Sequence, residues 1–326
     1  MSSTPVELHV WPGPPGQWGL PSVDAASLSL IIYLQLVLPS QFVLVETTNP
    51  ELSPSGQLPF MKNGEDVVAP FSSIISYLAN NGSNDAQGPK SHAPWLAHAE
   101  SNLGDLVLHM FYSLHANWNE LTFPSIAHHF PVLQRYYRPN AIRQSYKSRL
   151  ETAGLWSLPG IEIEQEKKAF SRKPQDFDRL SEQQSTEAKE GVKAHDRFLQ
   201  VFEREKVLDK ARSTLDIYAR LLGQKDFFSG DRPSLLDATV AAHILLLSRP
   251  PFPDPLLQDL VNNSYPSLVA HANRVYDLTL SAPLSTIDAT TESDVWETRL
   301  RFAFFGLALG GIITYSAASH LNVITP

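Results

Sequence analysis

The sequence contains Gly56-Gln57-Leu58-Pro59-Phe60-Met61, a short apolar segment with a proline at its start. Lys62-Asn63-Gly64 follows and predicts a tight hairpin, because Asn-Gly readily adopts the positive φ angles of a two-residue turn. The returning strand is predicted at 65–69 and a helix at 71–78. Pro59 at the strand start predicts a cis peptide bond, which in proteins is essentially confined to proline and fixes a bend. The alternative is a trans proline on an edge strand, and in either case we interpret Pro59 as structural.

The residues before this segment predict a strand, a helix and a second strand. Residues 6–11 alternate apolar and polar side chains, as a half-buried strand does. A break rich in proline and glycine follows, and then Ser22, a candidate N-cap with Asp24 close behind, precedes the apolar run 28–38. Residues 41–46 are almost continuously apolar, which is typical of a strand covered on both faces. The order β-α-β followed by β-β-α predicts an α/β thioredoxin-like domain over 1–82.

The remainder of the chain predicts an all-helical domain at 92–285. Residues 83–91, within a stretch rich in Asn, Gly and Ser, form the predicted linker, and apolar side chains then recur at helical spacing from His92. Residues 162–190 carry eight acidic and six basic side chains, which favours a flexible, solvated insert. We expect regular helix again from about Ser185 to Leu222.

The strongest local pattern of the second domain is Phe227-Phe-Ser-Gly-Asp-Arg-Pro-Ser-Leu-Leu-Asp-Ala238. Ser234 and Asp237 have the spacing of a capping box, in which each side chain bonds to the other residue's amide. The apolar run that follows predicts a buried helix. We therefore interpret Ser234 and Asp237 as structural rather than catalytic.

The C-terminal segment 299–320 has a different composition. Arg299 and Arg301 precede 17 residues without a charge, 302–318, which as a helix would extend roughly 26 Å, near the lower limit for crossing a bilayer. Gly306 and Gly310 offer a small-residue face for a second helix. We expect a membrane helix here, with the arginines on the cytosolic side; a globular C-terminal helix is the alternative. The residues predicted to lie in this membrane helix are Phe302, Phe304, Phe305, Gly306, Gly310 and Tyr315.

Composition narrows the class of function. The 26 basic and 34 acidic residues give a net charge of −8, which disfavours a general nucleic-acid binder. The chain has no cysteine, so thiolate chemistry, disulfides and thiolate zinc sites are excluded. The N-terminal residues lack the features of a signal or matrix-targeting peptide. Histidines are scattered rather than spaced for a metal, and phosphate-binding glycine motifs are missing, so we predict no cofactor and no metal.

The combination of these segments resembles the glutathione transferase fold and, more closely, the metaxin family. The similar stretches are Leu8–Trp11, Ser22–Asp24, Gly56–Phe60, Ile74–Leu78, and Leu133-Gln-Arg-Tyr-Tyr-Arg-Pro139 with the basic residues that follow it. The resemblance covers about 6–280 and is greatest to the fungal metaxin-one type, a peripheral subunit of the mitochondrial sorting and assembly machinery.

The resemblance implies a non-enzymatic subunit on the cytosolic face of the mitochondrial outer membrane. Its implied partners are a membrane-embedded β-barrel core subunit, a second metaxin-like subunit, β-barrel precursors, outer-membrane lipid and the outer-membrane translocase. Aromatic and arginine side chains are preferred anchors of such interfaces. The candidate contact residues are Arg135, Tyr136, Tyr137, Arg138 and Arg143. Packing between the two domains is the alternative role for them.

A glutathione transferase-like enzyme or redox regulator is the alternative function. It would need a hydroxyl or thiol at the start of the first helix, where Ser22 is the candidate. It would also need polar side chains at the start of the helix after the hairpin, where Pro70 and Phe71 stand instead, unless Ser72 or Ser73 takes their place. Because Pro70 and Phe71 cannot bond a polar ligand, we predict no catalytic residues.

Overall fold

The computed structural model describes residues 5–14, 18–39, 41–80, 92–156, 182–281, 284–288 and 292–324. Of residues 182–200, 288, 292–298, 301 and 317–324, only the backbone is described. The chain divides into two compact units, Met1–Thr286 and Ile287–Pro326. Both predicted domains fall within the first unit, and the predicted linker, 83–91, lies almost entirely outside the described residues.

A mixed β-sheet with helices packed against it forms the N-terminal part of the first unit. Its strands are β1 (Val6–Val10), β2 (Phe42–Glu46), β3 (Phe60–Asn63) and β4 (Asp66–Val68), in the order β4-β3-β1-β2. A further short strand, β5 (Thr286–Asp288), stands where the chain passes from the first unit to the second. β1 is parallel to β2 and antiparallel to β3, and β3 is antiparallel to β4. The Leu58–Pro59 peptide is cis, and Gly64 occupies the tight turn with φ +64°. The predicted α/β class of this part is confirmed.

Two helices accompany the sheet: α1 (Ala25–Val37) and α2 (Phe71–Asn80). The cap of α1 differs from the predicted one. Asp24, not Ser22, is the N-cap, because its carboxylate accepts the amide of Ser27 at 2.8 Å. Ser22 is fully buried, and its hydroxyl oxygen accepts the Asp24 N–H instead. The aspartate therefore places a carboxyl group at the start of the first helix.

The C-terminal part of the first unit is helical, as predicted. Its helices are α3 (Ala93–His98), α4 (Gly104–Leu108), α5 (His115–Asn117), α6 (Phe123–Ala127), α7 (Arg138–Thr152), α8 (Glu182–Leu222), α9 (Leu235–Ser248), α10 (Leu256–Ser264) and α11 (Pro266–Thr279). Residues 182–190, predicted as flexible insert, lie in α8, because Glu, Gln, Lys and Ala favour helix despite their charge. Residues 162–181 of that insert lie outside the described residues.

The helical path between α3 and α6 is interrupted by three π-helical turns, Ala99–Leu103, His109–Ser113 and Trp118–Thr122. A π turn shifts the backbone register, so some carbonyls need a partner from outside the helix. Two arginines of α7 supply it. Arg149 donates to the carbonyls of Glu100 and Ser101, and Arg143 donates to that of Tyr112 at 2.7 Å. These bonds hold α7 against the irregular segment.

Helix α9 is the centre of the helical part. Every side chain from Leu235 to Leu247 is buried, and the helix packs against α1 and α11. The carboxylate of Asp237, itself fully buried, accepts the N–H and hydroxyl of Ser234, the N–H of Phe228 and Nε2–H of His271, at 2.6–2.8 Å. Ser234 and Asp237 therefore join the helix start to the preceding loop and to α11.

The second unit consists mainly of α12 (Glu292–Ile324). Its described side chains from 302 to 316 are exposed, and the large apolar ones among them are Phe302, Phe304, Phe305, Leu307, Leu309, Ile312, Ile313 and Tyr315. A side chain added at Gly306 or Gly310 would meet nothing within 4 Å. Within the described residues, no helix has the length and apolar character needed to cross a membrane. The predicted membrane helix is therefore not supported.

Candidate functional site

A cleft of about 680 Å³ lies in the first unit, between the α/β part and the helical part. The start of α1, the loop before β3, the first two π turns, α7 and His243 of α9 line it. Its residues are far apart in the sequence, from Trp11 to His243. Only the packing of the two parts brings them together, so the spacing of residues did not predict this site.

The floor of the cleft combines a carboxyl group with aromatic rings. Asp24, Trp11, Tyr112 and Tyr146 also line an adjoining cavity of about 20 Å³. The tyrosine ring centroids are 4.8 Å apart at an interplanar angle of 43°. Burial raises the pKa of the Asp24 carboxyl, although its hydrogen bonds from Ser27 act in the opposite direction. Burial also raises the pKa of both tyrosines, and the nearby Asp24 charge adds to it.

The cleft wall carries further ionisable groups. Arg149 donates from Nε to Asp105 at 2.7 Å, so its charge is neutralised. Glu100 lies in the first π turn and makes no ion pair within the part of the chain that the structure describes; partial desolvation raises its pKa. His243 donates from Nδ1 to the Thr239 carbonyl at 2.7 Å, and burial lowers its pKa to about 4. The imidazole is therefore neutral at pH 7.

The positions that a glutathione-binding site requires are filled differently here. Ser22 is buried and does not line the cleft. Phe71 does line it and presents an aromatic ring, whereas Ser72 and Ser73 do not. A thiolate at the start of the first helix would face the carboxyl of Asp24, which opposes the negative charge that such a site must stabilise.

An exposed apolar patch lies between α6 and α7. We define the 132–137 patch by Val132, Leu133, Tyr136 and Tyr137, whose exposed fractions are 60%, 55%, 70% and 54%. These side chains surround a single turn of 3₁₀ helix, Gln134–Tyr136. Four large apolar side chains are thus exposed within six consecutive residues, a local concentration that differs from the single exposed side chains common on soluble proteins.

The structure separates the five predicted contact residues. Tyr136 and Tyr137 are exposed in the patch, whereas the three arginines are partly buried. Arg143 lies over the rings of Trp118 and Trp156, 5.2 Å from each centroid.

The other two arginines also contact the protein itself. Arg135 donates to the Phe130 carbonyl, and Arg138 lies 3.9 Å from Glu51, which belongs to the α/β part. Of the three arginines, Arg138 thus contacts the α/β part, whereas Arg135 and Arg143 contact the helical part. The role of the five residues as partner contacts stays a prediction.

No group of metal-ligating side chains occurs among the described residues. The buried histidines instead bond to the protein itself. His109 donates from Nδ1 to the Leu155 carbonyl, and burial lowers its pKa to about 4. His271 bonds to Asp237.

Comparison with solved structures defines the class of protein by its fold. A glutathione S-transferase from Ceriporiopsis subvermispora in complex with glutathione aligns with a TM-score of 0.51 at 13% identity, covering 86% of this chain and 99% of that one. The transferase GSTFuA3 from Phanerochaete chrysosporium aligns with a TM-score of 0.50 at 13% identity, covering 87% and 100%. The chain therefore has a glutathione transferase-like fold; identities this low show the fold alone.

Sequence comparison shows which known proteins this chain is similar to. The model of the family described as "Outer mitochondrial membrane transport complex protein" matches residues 27–143, and that of "Glutathione S-transferase, C-terminal domain" matches 211–275. Metaxin-1 of Macaca fascicularis is 27% identical, over 78% of this chain and 69% of its own length. Metaxin-1 of Mus musculus is 26% identical, over 85% and 75%, and Metaxin-3 of Xenopus laevis is 30% identical, over 72% and 64%. Over most of its length the chain is therefore similar to the metaxins.

Proposed function

We propose that this chain is a non-enzymatic subunit of the β-barrel sorting and assembly machinery of the mitochondrial outer membrane. The family description and the metaxin relatives support a role in outer-membrane protein transport. The finer proposal is that it stabilises the complex and assists release and insertion of β-barrel precursors. Its proposed partners there are a membrane-embedded β-barrel subunit and a second metaxin-like subunit, bound at the cytosolic face.

The observation that carries this proposal is the 132–137 patch. Exposed tyrosines and aliphatic side chains on a rigid segment are the usual anchors of a protein interface. The patch lies between α6 and α7 and directly precedes α7. Arg143 and Arg149 fix α7 to the rest of the helical part. The side chains of the patch are therefore presented on a held backbone, which reduces the entropy lost on binding.

The arrangement in the cleft favours this function over a glutathione transferase. A carboxyl group, Asp24, lies at the start of the first helix in place of a hydroxyl or thiol, and Phe71 stands where a polar side chain would hold glutathione. The transferase-like enzyme or redox regulator stays the alternative, which predicts that the protein is retained on immobilised glutathione.

Changing Tyr136→Ser and Tyr137→Ser together is expected to reduce recovery of the partner subunits at least about tenfold, because exposed aromatic anchors each contribute about 2 kcal/mol or more to such interfaces. Stability of the isolated chain should change little, since both rings are exposed. The measurement is a mild-detergent pull-down of the tagged chain from mitochondria, with quantitative mass spectrometry, alongside thermal unfolding of the purified variant.

The matched control is the pair Val201→Ser and Phe202→Ser on α8, which removes apolar side chains exposed by 66% and 58% elsewhere. Normal recovery with the tyrosine variant would remove the patch from the proposal. If the unmodified chain recovers no β-barrel subunit and instead binds glutathione, the assembly function itself is wrong.

A further inference from the structure

We propose that the cleft of the first unit binds an organic cation: a substituted ammonium group attached to an apolar body. The charged group would lie in the cleft beside Asp24 and the rings of Trp11, Tyr112 and Tyr146, all of which line it. The apolar body would extend along the wall towards Phe71. This ligand site is independent of the interface proposed for the 132–137 patch.

The charges of the lining residues favour a cation as the ligand of the cleft. Arg149 is neutralised by Asp105 at 2.7 Å, and Arg138 has Glu51 at 3.9 Å near the mouth. His243 is uncharged at pH 7 because burial lowers its pKa to about 4. The carboxyl groups of Asp24 and Glu100 are the lining acids without a basic partner among the described residues. Burial raises the pKa of both carboxyl groups. An anionic ligand would raise it further, whereas a cation beside them would favour their charged forms and pair with them.

The aromatic rings select the type of cation. Tyr112 and Tyr146 are tilted at 43° with centroids 4.8 Å apart, and Trp11 lies on the same small cavity. Ring faces attract ammonium groups through their quadrupoles, and aromatic cages are the known way in which proteins hold quaternary ammonium. A carboxylate within such a cage adds a direct charge partner. Asp24 is held in place there by two hydrogen bonds from Ser27, both 2.8 Å.

The size of the cleft and its apolar lining favour a cation that carries an apolar group. A volume of about 680 Å³ is within the range for small organic ligands. The apolar side chains of Phe71, Val107, Leu108 and Phe111 also line the cleft. An inorganic cation would leave these surfaces unfilled, and free choline would use the floor alone. The ligand proposed for the cleft is therefore a cationic amphiphile.

The test measures binding of decyltrimethylammonium below its micelle concentration to the purified full chain, by calorimetry and by the fluorescence of tryptophan. Decyldimethylamine oxide, of nearly the same shape without net charge, and choline, without the tail, are compared. The trimethylammonium probe should bind at least about tenfold more tightly than either, because only it engages both the carboxylate and the wall. Asp24→Asn should weaken its binding by a similar factor, since asparagine still caps α1 but carries no charge.

Glu65→Gln, which removes an exposed carboxylate outside the cleft, is the matched control and should bind normally. If Asp24→Asn does not fold, Tyr146→Leu replaces it and should weaken binding, whereas Tyr146→Phe should retain it. Equal affinity for the amine oxide, or unchanged binding in both Asp24→Asn and Tyr146→Leu, would overturn the cation site. Choline binding as tightly as the decyl probe would overturn the amphiphile. Displacement by reduced glutathione would contradict the charge argument and favour the transferase-like alternative.

Discussion

Replacing Asp237 with alanine is expected to lower the free energy of unfolding by about 4 kcal/mol, the largest effect of any single substitution considered for this chain. The carboxylate accepts four hydrogen bonds from Ser234, Phe228 and His271 in a fully buried position. Alanine would leave these donors unpaired in the core and would remove the cap of α9. Denaturant unfolding of the purified variant, followed by circular dichroism, measures the loss.

Asp231→Ala is the matched control, because it removes an exposed carboxylate from the same loop and should change stability by less than about 0.5 kcal/mol. Ser234→Ala should fall between the two, since it removes one donor and leaves the Asp237 bonds to Phe228 and His271. A variant Asp237→Ala as stable as the control would mean that the network does not stabilise α9.

Stability is expected to fall steeply between pH 6.5 and pH 4 because of His109 and His243. Burial lowers the pKa of each in the folded state to about 4, whereas the unfolded chain has the ordinary value of 6.5. The unfolded state therefore binds more protons in this window, and the stabilisation present above pH 6.5 is lost as pH falls. By linkage the loss at pH 5 is about 2 kcal/mol for each histidine. Urea unfolding at pH 7.5, 6 and 5 measures it.

The variant His243→Gln should reduce this pH dependence by about half, although it also lowers stability at pH 7.5. His128→Gln, at an exposed position, should leave the slope unchanged. The raised pKa values of Asp24 and Glu100 increase stability as the pH falls, opposite to the effect of the two histidines. For this reason the test compares the slope of stability against pH between the unmodified chain and each single variant. Equal slopes for the unmodified chain and His243→Gln would show that His243 does not titrate in this way.

Local sequence signals predicted the elements whose structure depends on neighbouring residues. The hairpin at Gly64 followed from Asn-Gly, since a positive φ is an intrinsic preference of those residues. The Ser234 and Asp237 box predicted the start of α9, because cap and acceptor lie within one turn. The sequence predicts Ser22 as the cap of α1, whereas the structure has Asp24. Both residue types can cap a helix and they lie two positions apart, so only the path of the backbone decides which of them does.

Other features depended on contacts that sequence spacing does not encode. The tyrosines and arginines of 135–143 are close together in the sequence, but packing against Trp118, Trp156 and Glu51 decided which of them face outward. The π turns between α3 and α6 depend on arginines from α7, some 30 to 50 residues later. The second unit had an apolar composition that predicted a membrane helix, and the described part of α12 does not support one.

The α/β and helical parts, the capped core helix and the family resemblance could be predicted from the sequence, because each is carried by short-range patterns or by their order along the chain. The cleft could not. Asp24, Glu100 and Tyr146 belong to three separate elements, and their burial, pKa shifts and shared cavity arise when these elements come together in the folded chain. A charge environment is the sum of groups close in space, so it exists only in the folded chain.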